Sequence, residues 1–138
     1  MKLADNVTPF PIDDRCGIPE MIFKGTLEHF SEDKLARFRR RMCGSSGQTE
    51  EFLSHTPTRT AEELREELAA LALGITAYGS SSFIWDRAII GNRDKIFPPR
   101  NQHEAWQGTE IMETEAEHYE TSLFSRLLEG KGEEWTRH

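Results

Sequence analysis

The chain has 138 residues, 36% of them hydrophobic and 30% charged, with a formal net charge of −7. A domain of that length buries roughly two-thirds of its unfolded surface, so one ordinary core suffices without metal or disulfide staples. No apolar run approaches the ~20 residues a bilayer crossing requires, and two cysteines, Cys16 and Cys43, exclude a disulfide framework.

The start, Met1-Lys2-Leu3-Ala4-Asp5-Asn6, has no apolar stretch behind its lysine, which argues against a secretory signal. Free thiols and the absence of such a signal predict a cytoplasmic setting, the host cytoplasm if the protein is viral. The charge is uneven: residues 1–59 balance to zero and residues 60–138 hold the whole −7. An acidic carboxyl-terminal half disfavours nucleic acid there and favours a basic protein surface.

Residues 1–20 contain Pro9, Pro11 and Pro19 with Asp13, Asp14 and Gly17. Proline fixes φ and removes a donor, so an extended arm is expected, with Met21-Ile22-Phe23 pinning it to the core. A first helix is predicted over 31–43. Ser31 caps it, Glu32 and Asp33 lie at its positive end, and Phe30 with Leu35 forms a hydrophobic staple. Leu35, Phe38 and Met42 share a face, Arg39–Arg41 suit the negative end, and Gly44 breaks the helix.

Thr60-Ala61-Glu62-Glu63 is a capping box. Behind it Leu64, Leu68, Leu71, Ile75, Tyr78, Ser82, Trp85 and Ile89 recur at alternating steps of four and three, which predicts one long helix over 61–90. Gly74, Gly79 and Ser80–Ser82 weaken its middle and suggest a kink there. Residues 92–108 are read as a connector anchored by Ile96, Phe97 and Trp106. A last helix is predicted over 110–129, with Met112, Ala116, Tyr119, Leu123 and Leu127 on its apolar face and Gly130 ending it, followed by a tail that frays unless Trp135 docks.

These elements describe an all-α domain, a small helical bundle of three main helices. An arm over 1–30 precedes the helical domain at 31–130, and a tail at 131–138 follows. The stripe on 61–90 exceeds what a three-helix core needs and points to self-association.

Chemical signatures are sparse. Glu115 and His118 have a Glu-x-x-His spacing, but di-iron bundles need two such pairs. Glu63 and Glu66 have the Glu-x-x-Glu spacing of all-α nucleotide pyrophosphohydrolases that hold Mg²⁺, yet Phe83 stands where the Asp86 partner motif needs a carboxylate. Gly79-Ser80-Ser81-Ser82 lacks the strand context of a nucleophile elbow. No metal or cofactor is expected.

The charged clusters carry more weight. Lys34, Arg37, Arg39, Arg40 and Arg41 form a basic helix end, while Arg87 and Arg93 lie near aromatic residues. Glu110, Glu113, Glu117 and Glu120 form an acidic face on the last expected helix. The expectation is a non-enzymatic protein-interaction module that uses these ten arginines and glutamates, apart from Lys34. A small acidic inhibitor or adaptor on a basic protein surface comes first. An assembly subunit, as in a virus particle, is the alternative, and the Mg²⁺-dependent pyrophosphohydrolase the second.

Overall fold

Ala88, Ile89 and Ile90 are at most 1% exposed, and they form the middle strand of a parallel sheet rather than the end of a helix. The computed structural model of the chain describes residues 2–55, 57–78 and 83–129. Its elements are β1 (Leu3–Asp5), α1 (Glu20–Glu28), α2 (Glu32–Cys43), α3 (Ser46–Ser54), α4 (Ala61–Tyr78), β2 (Arg87–Gly91), α5 (Pro99–Ala105), β3 (Glu110–Thr114) and α6 (Thr121–Leu128). The architecture is α/β, which corrects the expected all-α bundle.

The sheet order is β1-β2-β3, all parallel, with Ala4 opposite Ala88 and Ala88 opposite Ile111. A parallel strand covered on both faces reads as a continuous apolar run, and periodicity cannot separate such a run from a buried helix segment. That is why residues 87–91 extended the helical stripe on paper. On one face Ala4, Ala88, Ile90 and Trp106 cluster with Trp85 and Ile111. On the other, Ile89, Ala116 and Leu123 pack with Leu3, Met112 and Leu127. Ile111 and Met112 thus point to opposite faces, the period-two signature of a strand.

The expected helix over 110–129 is therefore strand β3, a loop, and the short helix α6. The expected helix over 61–90 stops at Tyr78, and Leu71 and Leu73 on it are 54% and 74% exposed. The kink near Gly79–Ser82 lies outside the described residues, as do Gly130 and Trp135. The extended arm is also revised: residues 3–5 are a sheet strand, and residues 20–28 are helix.

Local caps hold where they were legible. Ser31 Oγ accepts from Lys34 N at 3.2 Å, and Gly44, at φ 77°, closes α2 by donating its N–H to Arg40 O. Thr60 N donates to Glu63 Oε2 at 2.9 Å, and Glu63 N to Thr60 Oγ1 at 3.2 Å, the reciprocal pair of a capping box. Helices α1–α4 fill the excursion between the neighbouring strands β1 and β2. The end of α2 reaches the loops that leave the sheet: Arg41 donates to Lys95 O at 2.8 Å and Tyr119 N to Met42 O at 2.9 Å.

Candidate active site

In open α/β sheets the loops beyond the carboxyl ends of the strands converge, and sites form there. β2 ends at Gly91, and the chain turns at once, with Asp94 N donating to Gly91 O at 3.2 Å. The Asp94 side chain is fully buried. Its Oδ1 accepts from Ile96 N at 2.8 Å and Phe97 N at 2.9 Å, and its Oδ2 accepts from Gln102 Nε2 at 3.3 Å. Gln102, on α5, is itself buried and held by Phe97 O at 2.8 Å.

The fourth partner is His118, whose Nδ1 lies 2.9 Å from Asp94 Oδ2. An ionised carboxylate only accepts, so the network assigns the proton to Nδ1 and leaves the lone pair on Nε2. The imidazole ring stacks on Phe97, with centroids 5.9 Å apart and planes inclined by 16°. Its side chain is 22% exposed, against 0% for Asp94. Among the described residues none hydrogen-bonds Nε2. The result is a buried acid orienting an accessible histidine, two thirds of a nucleophile–base–acid relay.

The histidine loop is fastened to the helical excursion. Glu117 is 8% exposed and rests against Gly44, where a Cβ would come 2.0 Å from its Cδ. Asp5, at the end of β1, completes the polar floor. Burial raises its carboxyl pKa to about 6, the His118 charge opposes that rise and the Asp94 charge adds to it.

An apolar cavity of about 250 Å³ is lined by Ile22, Phe23, Leu35, Phe38, Leu68 and Ile96 among others. Ile96 belongs to the loop that Asp94 holds. A second groove of about 410 Å³ shares Ile22, Thr26, Phe38 and Arg41 with the cavity and adds Lys34 and Arg37. The apolar cavity and the basic groove thus adjoin across these four residues.

The residues singled out from sequence are scattered. Arg37 lines the groove, Arg39 lies 5.6 Å over the Phe52 ring, Arg40 is exposed, and Arg41 binds Lys95 O. Arg87 is buried and pairs with Glu110 at 2.8 Å, Arg93 pairs with Glu115 at 3.1 Å, and Glu113 faces His103 at 3.2 Å. Glu120 accepts from Glu117 N at 3.1 Å. Glu110, Glu113, Glu117 and Glu120 are therefore not one acidic helix face. Glu115 and His118 lie in a loop, so the Glu-x-x-His spacing has no helical meaning. Glu63 is used in the capping box and Glu67 pairs with Arg59.

Sequence reasoning missed Asp94, Gln102, Asp5 and Asn6, and weighed His118 only as a metal ligand. A signal existed: a β-branched apolar run closed by Gly91, followed three residues later by an aspartate, with an isolated histidine further on.

Comparison with known proteins agrees with the α/β fold. A family model described as pimeloyl-ACP methyl esterase BioG matches residues 2–129. A malonyl-[acyl-carrier protein] O-methyltransferase of Bacteroides fragilis is 47% identical over 92% of this chain and 26% of its own length. An uncharacterized protein of Haemophilus influenzae is 41% identical over 88% of the chain and 57% of its own length. A crystal structure of BioG from Haemophilus influenzae superposes with a TM-score of 0.81 at 40% identity, covering 88% of this chain and 57% of that one. The chain spans about a quarter of the first relative and somewhat over half of the second.

These matches overturn the non-enzymatic interaction module in each of its forms, inhibitor, adaptor or virus-particle subunit, and the all-α pyrophosphohydrolase with them. The relatives are bacterial proteins, and the fold they share is the α/β one. Among the described residues no helix is long and apolar enough to cross a membrane. With residues 2–129 matched, the chain belongs to the family described as pimeloyl-ACP methyl esterase BioG.

Proposed function

We propose that this chain supplies the acid and base of an ester hydrolase that removes a methyl ester from an acyl group borne by a carrier protein. The observation that carries it is the Asp94–His118 contact: a fully buried carboxylate holding a partly exposed imidazole at 2.9 Å. His118 Nε2 takes the proton of a hydroxyl or thiol nucleophile as that group attacks the ester carbonyl. The same nitrogen then returns the proton to the departing methoxide, which leaves as methanol. A second round with water frees the carboxylate. Asp94 stabilises the imidazolium in each step. The match covers 57% of the Haemophilus protein, and the nucleophile is assigned to the part of that protein outside the match.

The apolar cavity beside Ile96 suits the hydrocarbon part of the acyl group, and the basic groove at Lys34, Arg37 and Arg41 suits an acidic carrier surface. The partner of complementary charge is thus a carrier protein. A cytoplasmic site of action fits the two free thiols, Cys16 and Cys43.

The test joins this chain to the part of the Haemophilus protein outside the match and measures methanol release from a carrier-bound methyl ester. Release that His118→Gln and Asp94→Asn each abolish supports the proposal. Absence of release, or release that survives His118→Gln, overturns it.

A further inference from the structure

Asn6 follows β1 and is 2% exposed, and its φ of 52° is the one positive value among the described non-glycine residues. Asparagine tolerates that left-handed region better than most residues, yet its conformation still costs something that its contacts must offset. Those contacts tie together three separate strand ends. Oδ1 accepts from Gly91 N at 2.7 Å, at the end of β2. Nδ2 donates to Glu117 O at 3.1 Å and to His118 O at 3.3 Å, in the loop after β3. The amide orientation is forced, since Gly91 N–H only donates and the two carbonyls only accept. The backbone adds Asn6 N to Ile89 O at 3.0 Å.

We propose that Asn6 is the positioning residue of the dyad, holding His118 in reach of Asp94 by gripping the histidine's main chain rather than its ring. Asp94 is fixed to the end of β2 through Gly91, and Asn6 uses that same Gly91 as its second anchor. One side chain therefore bonds both the segment that carries the acid and the two residues at the base itself, beyond the point where Arg93 N reaches Ala116 O. The loop is otherwise fastened by Tyr119 N to Met42 O on the helical side and by Arg93 N to Ala116 O at 3.0 Å on the sheet side, so without Asn6 no side chain among the described residues grips the Glu117 and His118 carbonyls. The inference rests on the dyad being the working pair, and the experiment checks that separately.

The full chain, labelled with nitrogen-15, is followed by the far-downfield resonance of the His118 Nδ1 proton and by amide exchange. Asp94→Asn calibrates the signal and is expected to abolish it. If the resonance persists in that variant, the dyad itself is wrong and the inference falls with it. Asn6→Asp keeps the acceptor for Gly91 N–H but removes both donors to the carbonyls. It is expected to leave the Gly91 amide protected while the His118 resonance is lost to exchange. Asn6→Gly keeps the left-handed backbone and removes every side-chain contact, so Gly91 protection and the resonance are both lost; it carries the test if Asn6→Asp does not fold. A residue that merely stabilises the fold would lower the melting temperature and leave the resonance in place. That result in either folded variant overturns the proposal.

Discussion

Asp94→Asn is the most informative single change because its consequences can be worked out atom by atom. The carboxylate accepts four hydrogen bonds, two from backbone N–H groups at 2.8 and 2.9 Å and two from side chains at 2.9 and 3.3 Å. An asparagine keeps Oδ1 for Ile96 N and Phe97 N, but those bonds lose their charge assistance, which halves their strength. On the other side an NH₂ group now meets two donors. Gln102 Nε2 retains Phe97 O and gives up its second partner. His118 must turn Nδ1 into an acceptor, which moves its proton to Nε2.

Hydrogen bonds to charged groups contribute ~1.5–3 kcal/mol and neutral ones about 1, so the combined loss comes to roughly 2–4 kcal/mol of folding stability. Urea unfolding of the chain at neutral pH measures it. The tautomer change is read from the nitrogen-15 shifts of His118. It predicts a fall in turnover of roughly four orders of magnitude in the completed enzyme, the size found where the same exchange misorients a serine protease histidine. A variant as stable as the parent, with Nδ1 still protonated, would refute the idea that the Asp94 carboxylate orients this ring.

Asp5→Asn bears on pH dependence. Burial raises the folded carboxyl from its ordinary 3.8 to about 6, so the folded state binds more protons than the unfolded state between those values. Stability contributed by Asp5 therefore falls as pH rises from about 4 to about 6, and the charged form is a burden above that window. Melting temperatures should rise in Asp5→Asn at pH 8 and change little at pH 3; a drop at pH 8 would show that the charged form is favourably held. Gly91→Ala places a Cβ 2.5 Å from Ala116 O and 2.9 Å from Asn6 Oδ1, neither free to retreat, and should cost about 2–3 kcal/mol in chemical denaturation. Unaltered stability would mean that the strand ends have slack. Arg37→Glu with Arg40→Glu should raise KM for a carrier-bound ester in a salt-sensitive way and leave a small free methyl ester unaffected; equal effects on both substrates would remove the carrier from this face.

What was legible in the sequence was local. Ser31, Thr60 and Glu63 announce helix starts through side chains that reach three residues along the chain, and Gly44 announces a helix end through its left-handed backbone, as the structure uses them. The strands were illegible because their evidence is not local. β2 is five residues long, and its apolar run happened to fall in phase with the stripe that begins at Leu64. β1 is only three residues long and sits in a proline-rich context that argues for irregular chain. Parallel strands also leave no hairpin turn to read, since the partner of Ala4 is Ala88 and the partner of Ala88 is Ile111.

The candidate site was hidden for the same reason, and its construction explains why the proposed chemistry leaves so few motifs. Asp94, His118 and Asn6 have no mutual spacing that a helix or turn would impose; 24 residues separate acid from base, and 85 separate Asn6 from Gly91. Parallel pairing alone brings them together, by stacking three strands with their carboxyl ends on one edge. The charges that looked like free surface are largely spent inside that arrangement, Arg87 on Glu110 and Glu120 on the Glu117 backbone. Arg37 and Arg40, on the excursion between β1 and β2, make no ion pair among the described residues. On the proposed reading, the sheet edge carries the acid and base while the inserted helices carry the charges that meet the carrier, and a carrier-borne ester requires that division.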